Sequence, residues 1–325
     1  MKRIFFYNLV SVIILFLIIE TSISLFLPIT KQGISPNLIN ENTIEPRFNF
    51  PNVEDQKVFG EIVFTDSNGF RTESKNFKKK NFETNRDIFF IGGSVTFGAG
   101  VKQKNTFSGL LNEDLKNYNV HNASVVGSDL KNNYYILKNK INKKKLELAI
   151  INFSLDDIAN SDEISNKEIY HNKNLIEKIR QNKFISYINN FIRAHSKLYV
   201  LIKNLIFDAE NRYYELAKKN YEDPKKISYL KNYLDKISSL NKEVDSKIIF
   251  ISIPYSKQLS NKNCETQQPE EKIIEFEMKI RNINFFNLKN YFCNNHKNFY
   301  LKFDPAHLNN LGHHKVYEYI KKEIL

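Results

Sequence analysis

From Asp87 onward the chain alternates between short apolar runs and amphipathic segments, and this alternation constrains the fold more than any other feature. Strands are expected at Ile88–Gly92, Tyr118–Val125, Glu147–Phe153, Lys247–Ile253 and Ile283–Leu288. Helical spacing is expected over about Thr106–Lys116, Asp129–Asn142, Glu270–Arg281 and Leu311–Glu323. Such alternation builds a parallel sheet with helices on both faces. Sites in these sheets lie beyond the carboxyl ends of the strands. Ser94, Gly127 and Asp156 each fall just past an expected strand end, as a shared site requires.

The first of these strands runs into Gly92-Gly93-Ser94, with further glycines at Gly98 and Gly100. A strand that ends in glycines leaves the next side chain exposed on a tight turn, with backbone N–H groups around it. A phosphate-cradling loop needs a Lys after its last Gly, and none follows Gly98. The dinucleotide-binding pattern also fails, because Gly98-Ala99-Gly100 is followed by Val101, Lys102 and Gln103. Two readings of Ser94 remain on this stretch alone: a nucleophile, or a serine capping the next turn. The other end of the chain favours the first. Asp304-Pro305-Ala306-His307 places a carboxylate three residues before an imidazole, just ahead of the closing helix. A serine nucleophile needs such a base, and the base needs an orienting carboxylate.

A strand-end Ser94 near the start of a domain, with Asp304-x-x-His307 near its end, resembles the SGNH/GDSL ester hydrolases, from about Asp66 to the C-terminus. The resemblance implies a flavodoxin-like three-layer α/β/α domain with a central parallel sheet. It implies Ser94, Asp304 and His307 as the catalytic triad. It further implies an oxyanion hole built from the Ser94 N–H, the Gly127 N–H in His121–Gly127, and a side chain in the block Phe153-Ser154-Leu155-Asp156-Asp157. There Asp156 stands where the family has Asn, and Gly93 replaces the Asp of Gly-Asp-Ser. An ionised Asp156 cannot donate to an oxyanion, and loss of one such donor costs about 10²–10³ in rate. Asp66–Arg71 resembles a lead-in found in membrane-anchored members, with Asp66 in place of Asn, and reads equally as a plain hairpin turn. The resulting expectation is a serine esterase acting on carboxylic esters, with O-acyl groups of envelope or secreted glycans as substrates. The alternatives are an O-acyltransferase on a polysaccharide, or a catalytically weak glycan-binding domain because of Asp156. No cofactor is expected.

Residues Ile4 to Ile19 carry no charge, and the apolar character continues past Glu20 to Leu27. At about 1.5 Å per residue the run matches a hydrocarbon core of about 30 Å. A cleavable signal peptide has a shorter apolar core of about 7–15 residues. An uncleaved anchor over residues 1–30 is therefore expected. Lys2 and Arg3 precede the run, so the N-terminus is expected in the cytoplasm and the domain in the periplasm or outside the cell. Residues 31–85 read as an exposed lead-in with a strand at Glu61–Thr65, and 86–325 as the hydrolase-like domain. Within that domain a helical insertion spans about 160–245; its stripes around Phe191–Ile192 and Leu198–Ile202 read as a lid or cap on the sheet edge, with membrane-surface contact as the second reading.

The net charge of +12 comes from 40 Lys and eight Arg scattered along the whole chain. Nucleic-acid readers lean on clustered Arg, so no nucleic-acid partner is expected. Cys264 and Cys293, the only cysteines, are expected to be bonded if the domain is exported. His307, His313 and His314 have no carboxylate or thiol in Leu308–Leu311 to join them, so the last two read as surface histidines and no metal is expected.

Overall fold

The computed structural model describes residues 2–40, 46–75, 86–159, 183–206, 208–243, 247–260, 264–293 and 296–325. Its centre is β6 (Asp87–Ile91), whose five residues are all buried. A strand covered on both faces reads as a continuous apolar run, which is why Ile88-Phe89-Phe90-Ile91 shows no alternation. Parallel neighbours are β7 (Asn119–Asn122) on one side and β8 (Leu146–Asn152), β9 (Lys247–Ser252) and β10 (Asn284–Asn287) on the other. Counted along the chain, these five strands have the order 2-1-3-4-5, the flavodoxin-like arrangement. Its switch point lies at the carboxyl end of β6, where Ser94 follows.

Alternate side chains of the sheet feed two apolar layers. Phe89 and Ile91 of β6 join Ala149, Ile151 and Phe250 beneath α4 (Leu130–Asn139), α8 (Pro224–Glu243) and α9 (Pro269–Lys279). Ile88 and Phe90 join Leu148, Ile150 and Ile249 beneath α3 (Phe107–Asp114) and α11 (Asn310–Glu323). Several helices start where the sequence supplies a side-chain cap. Thr106 accepts from Gly109 N at 3.1 Å, Asp129 from Asn132 N at 2.9 Å, and Asn309 from Gly312 N at 3.0 Å. Such caps each contribute about 1 kcal/mol.

The strands and helices fall within a few residues of expectation. β7 reaches only half its expected length and stops at Asn122. There the Asn122 amide turns to the carbonyls of Thr96 and Phe97, and its Oδ1 accepts from Ser124.

The lead-in differs from the exposed segment expected. β3 (Gln56–Val58), β4 (Glu61–Thr65) and β5 (Arg71–Thr72) extend the sheet beyond β7 in antiparallel order, making eight strands. Leu38, Val58, Val63 and Phe70 are buried in the same core as Phe89. Like the two-residue strands β1 (Ile39–Asn40) and β2 (Phe48–Asn49), which pair with each other, β3 and β5 are only two or three residues long, too short for a period to show. The Asp66–Phe70 turn forms as a hairpin, with Asp66 Oδ1 accepting from Asn68 N and Phe70 N and Gly69 at φ +80°.

The described part of the insertion does not cap the sheet edge as one unit. Its helix α8 belongs to a regular layer of the domain, while residues 160–182 lie outside the described residues. Helices α5 (Lys183–His195) and α6 (Lys197–Ile206) lie against the N-terminal helix α1 (Lys2–Phe26) and the segment that follows it. Glu20 accepts from Ser196 Oγ and from the N–H groups of Lys197 and Leu198 at 2.7–3.0 Å, capping α6. α1 has the length and composition of a membrane anchor or a signal sequence. Cys264 and Cys293 form a disulfide.

Candidate active site

Ser94 opens α2 (Ser94–Phe97), a single turn directly after β6. Gly92 is the hinge into it: φ is +155°, and a Cβ there would stand 2.5 Å from Thr96 Oγ1 and 3.0 Å from Asn152 O. The turn closes through Gly98, at φ +83°, where a Cβ would meet Thr106 and Arg71. From beneath, the buried Arg71 guanidinium donates from Nη1 to Phe97 O and to Gly98 O at 2.8 Å, and from Nη2 to Val101 O at 2.6 Å. It also lies over the Phe97 ring, 4.7 Å from the centroid. Asn122 Nδ2 adds bonds to Thr96 O and Phe97 O at 3.3 and 3.2 Å. The turn is thus fixed from the sheet side, and Ser94 itself is left half-buried.

The loop before α11 brings the second set of groups. Asp304 Oδ1 accepts from the backbone N–H of Ala306 and His307 at 3.0 and 2.9 Å, so the carboxylate folds its own loop. His307 Nδ1 faces both carboxylate oxygens at 2.8–2.9 Å, and Nε2 stands 2.7 Å from Ser94 Oγ. An ionised carboxylate only accepts, so the neutral ring carries its proton on Nδ1 and leaves Nε2 to accept from Ser94. Burial alone would raise the Asp304 pKa, but the facing His307 ring and the backbone N–H bonds outweigh it and hold the carboxyl below its usual range. Phe59, from the lead-in, packs edge-on against the His307 ring at 4.7 Å. The chain position before Asp304 is also constrained: Phe303 has φ +62° and packs with the Ile23, Ile29 and Val200 cluster of α1 and α6.

The expected oxyanion donors are placed as follows. Among the described residues, neither the Ser94 N–H nor the Gly127 N–H has a protein acceptor. Gly127 is exposed at φ +73°, and its carbonyl accepts from Arg47 Nη1 at 3.1 Å. Asp156 is exposed and accepts from Tyr255 OH at 2.7 Å. Its carboxyl group is thus held by a donor from the loop after β9. Its buried neighbour Asp157 has a pKa pushed well above the usual carboxyl range, first by burial and then by the Asp156 charge.

Three contributors escaped the sequence reading. Arg71 was seen only as the end of a hairpin, Phe59 lay in a segment without periodicity, and Asn122 read as an interior strand residue. His313 is also corrected: it is fully buried, accepts from Phe107 N at 3.4 Å, and stands in line with Val316 and Ile320. That i, i+3, i+7 spacing is a core-face signal present in the sequence. Burial lowers its pKa to about 3, helped by the charges of Arg71 and His307. Among the described residues, no group of three or more His, Cys, Asp and Glu side chains converges as a metal site would.

A groove of about 710 Å³ runs along the Asp304–Pro305 loop, lined among others by Asn204, Glu210, Ser256, Tyr300 and Phe303. A second hollow of about 730 Å³ lies at the opposite end of the sheet, around Leu146, Lys247 and Asn284, on the far side from Ser94.

No family model matches the sequence, and no curated protein matches it. Several solved structures are similar in fold. An acetyl xylan esterase, AlAXEase, is 12% identical with a TM-score of 0.44, covering 74% of this chain and 100% of its own. A lipolytic protein of the G-D-S-L family from Veillonella parvula is 10% identical with a TM-score of 0.43, covering 74% and 98%. A lipase/acylhydrolase from Enterococcus faecalis is 14% identical with a TM-score of 0.42, covering 74% and 95%.

Proposed function

We propose that the protein is a serine ester hydrolase of SGNH type, held at a membrane by its N-terminal helix. One observation carries this reading: Ser94 Oγ, the His307 ring and the Asp304 carboxylate are joined in series, with Nε2 2.7 Å from Oγ and Nδ1 2.8 Å from Oδ2. In this reading His307 Nε2 takes the Ser94 proton as Oγ bonds to the ester carbonyl carbon. The resulting imidazolium is stabilised by Asp304. The carbonyl π pair moves onto oxygen, where the Ser94 and Gly127 N–H groups are the candidate donors. Collapse expels the alcohol, which leaves with the proton from Nε2, and an acyl ester remains on Ser94. Water, deprotonated by the same nitrogen, then releases the carboxylic acid.

The substrates proposed are carboxylic esters, with O-acyl groups on envelope or secreted glycans the favoured class. A sugar hydroxyl in place of water in the second half would make the same site an acyltransferase. The second reading, a weakly catalytic glycan-binding domain, is favoured by Asp156, which brings a carboxylate to the position where the resemblance calls for an amide. In topology, Lys2 and Arg3 keep the N-terminus cytoplasmic and put residues 31–325 on the opposite side.

The test is labelling of the full-length protein with a fluorescent alkyl phosphonate. Wild type should label at Ser94, His307→Ala should label at least about 10²-fold more slowly, and Ser94→Ala should not label. Equal labelling of Ser94→Ala and wild type would sink the assignment.

A further inference from the structure

Helix α5 is turned inside out, and α6 is apolar on its outer face as well as its inner one. In a helix of a soluble domain the apolar stripe faces the core and the polar stripe faces water. Here the polar side of α5 faces the protein. Asn190 exchanges two hydrogen bonds with the Ile34 backbone at 2.9 and 3.1 Å, Arg193 bonds Gln32 through both its carbonyl and its side chain, and Ala194 lies against Gly33. The apolar positions Tyr187, Ile188 and Phe191 face outward, Phe191 being 53% exposed. On α6, Val200 packs on Ile23 and Ile29, while Ile202, Leu205 and Ile206 face outward, Leu205 being 72% exposed.

The level at which this pair attaches to α1 identifies what covers the outward face. Glu20 caps α6, Lys197 Nζ reaches Ser24 O, and Ile23 packs under Val200. From Arg3 to Glu20 is seventeen residues, about 25 Å of helix, and to Phe26 about 35 Å. A hydrocarbon core of about 30 Å that begins near Arg3 therefore ends between Glu20 and Phe26. The α5–α6 elbow is bonded to that same stretch. Charge agrees with the level: residues 183–206 contain Lys183, Arg193, Lys197 and Lys203 and no Asp or Glu.

We propose that α5 and α6 lie in the outer interface of the same bilayer that α1 crosses, with Ile188, Phe191, Ile202, Leu205 and Ile206 in the upper acyl region and the lysines among anionic headgroups. The inference rests on α1 being a membrane span. It makes the anchor a three-helix foot and fixes the orientation of the domain on the membrane. Through Phe303, which packs on the Ile23–Val200 cluster, the Asp304–His307 loop sits directly above that foot. The groove along Asp304–Pro305, whose lining includes Asn204 of α6, then opens close to the lipid surface.

The test uses the full chain in nanodiscs of phosphatidylglycerol and phosphatidylcholine. A polarity-sensitive fluorophore is placed singly at Phe191→Cys and Leu205→Cys, with Leu15→Cys in the span and Phe276→Cys on α9 as references; each labelled chain must keep its phosphonate reaction. Expected is quenching by 5-doxyl lipid at positions 191 and 205 several-fold stronger than at 276, and quenching by 12-doxyl lipid at 15. Quenching at 15 with 191 and 205 behaving like 276 overturns the proposal alone. Absence of lipid quenching at 15 overturns the span and the proposal with it. Positions 191 and 205 shielded from lipid and from water only in discs holding two chains would mean that a second copy covers this face, which also overturns it. The unlabelled wild type gives an independent readout: diazirine-bearing phospholipid should crosslink to peptides from 183–206, and crosslinks confined to α1 would refute the foot.

Discussion

Replacing Arg71 by methionine should loosen the turn that presents Ser94. The side chain is 3% exposed and donates to Phe97, Gly98 and Val101 carbonyls. Hydrogen bonds from a charged donor contribute roughly 1.5–3 kcal/mol each, so three contribute about 4.5–9 kcal/mol. Against this stands the desolvation of the guanidinium, several kcal/mol for a buried ion. Burial draws the Arg71 pKa down to about 9, which still leaves it charged at neutral pH. Methionine keeps most of the apolar stem and removes both the bonds and the desolvation cost, but it takes the Arg71 donor from the buried Val101 carbonyl and leaves those of Phe97 and Gly98 with only Asn122 Nδ2 and Val101 N as donors. The net loss is about 2–4 kcal/mol, within the range for breaking a buried polar network. For a domain of this size that lowers Tm by about 5–15 °C. Thermal melts of full-length protein give the stability, and the phosphonate labelling rate well below Tm gives the local effect, expected to fall at least about tenfold because Ser94 leaves its bond to His307. Arg71→Lys should rescue neither, since one ammonium lacks the planar fork that reaches three carbonyls. A Tm within about 2 °C of wild type with an unchanged labelling rate would mean that the glycines and Asn122 hold the turn without Arg71.

Asp156→Asn should raise kcat/KM on short-chain esters by about tenfold or more, since an amide can still accept from Tyr255 while its N–H₂ donates; a fall at every pH would show that the carboxylate has its own role. Opening the disulfide with Cys264→Ser and Cys293→Ser frees a 29-residue loop and should cost about 3–4 kcal/mol in denaturant titration; unchanged stability would refute a structural role. The buried His313 is held neutral with a folded pKa of about 3, so the unfolded chain binds the extra proton first. Stability should therefore decline as pH falls below about 6.5 and keep declining toward 3, and His313→Leu should flatten that limb; an identical acid limb in the variant would refute it.

What was legible in the sequence was local. Ile88–Gly92 followed by Ser94 reads as strand, hinge and exposed side chain because glycine and period carry that information within ten residues. Asp304-x-x-His307 is legible for the same reason, since the carboxylate bonds the backbone of its own loop. The supports of the site were not. Arg71 acts on carbonyls more than twenty residues away, and Phe59 reaches His307 across most of the chain. The short strands β3 and β5 show no alternation, so the lead-in looked exposed although it extends the sheet. The apolar stripes of α5 and α6 were visible as stripes, but a stripe does not state which surface it covers. His313 was misjudged by residue type, when its spacing to Val316 and Ile320 already marked the inner face of the closing helix.

The seating of Phe303 makes the N-terminal helix part of the support of the Asp304–His307 loop. The residue lies immediately before Asp304, in left-handed conformation, with its ring against Ile23, Ile29 and Val200. Trimming the chain after Phe26 to obtain a soluble protein removes Ile23 and the Glu20 cap together, leaving Phe303 a half-built seat and α6 with Ser196 as the remaining cap of its first turn. The Asp304–His307 loop is then braced by the sheet but not by the N-terminal helix, so helix and loop form one mechanical unit, and measurements on the trimmed protein report a hinge freed from its lower bearing.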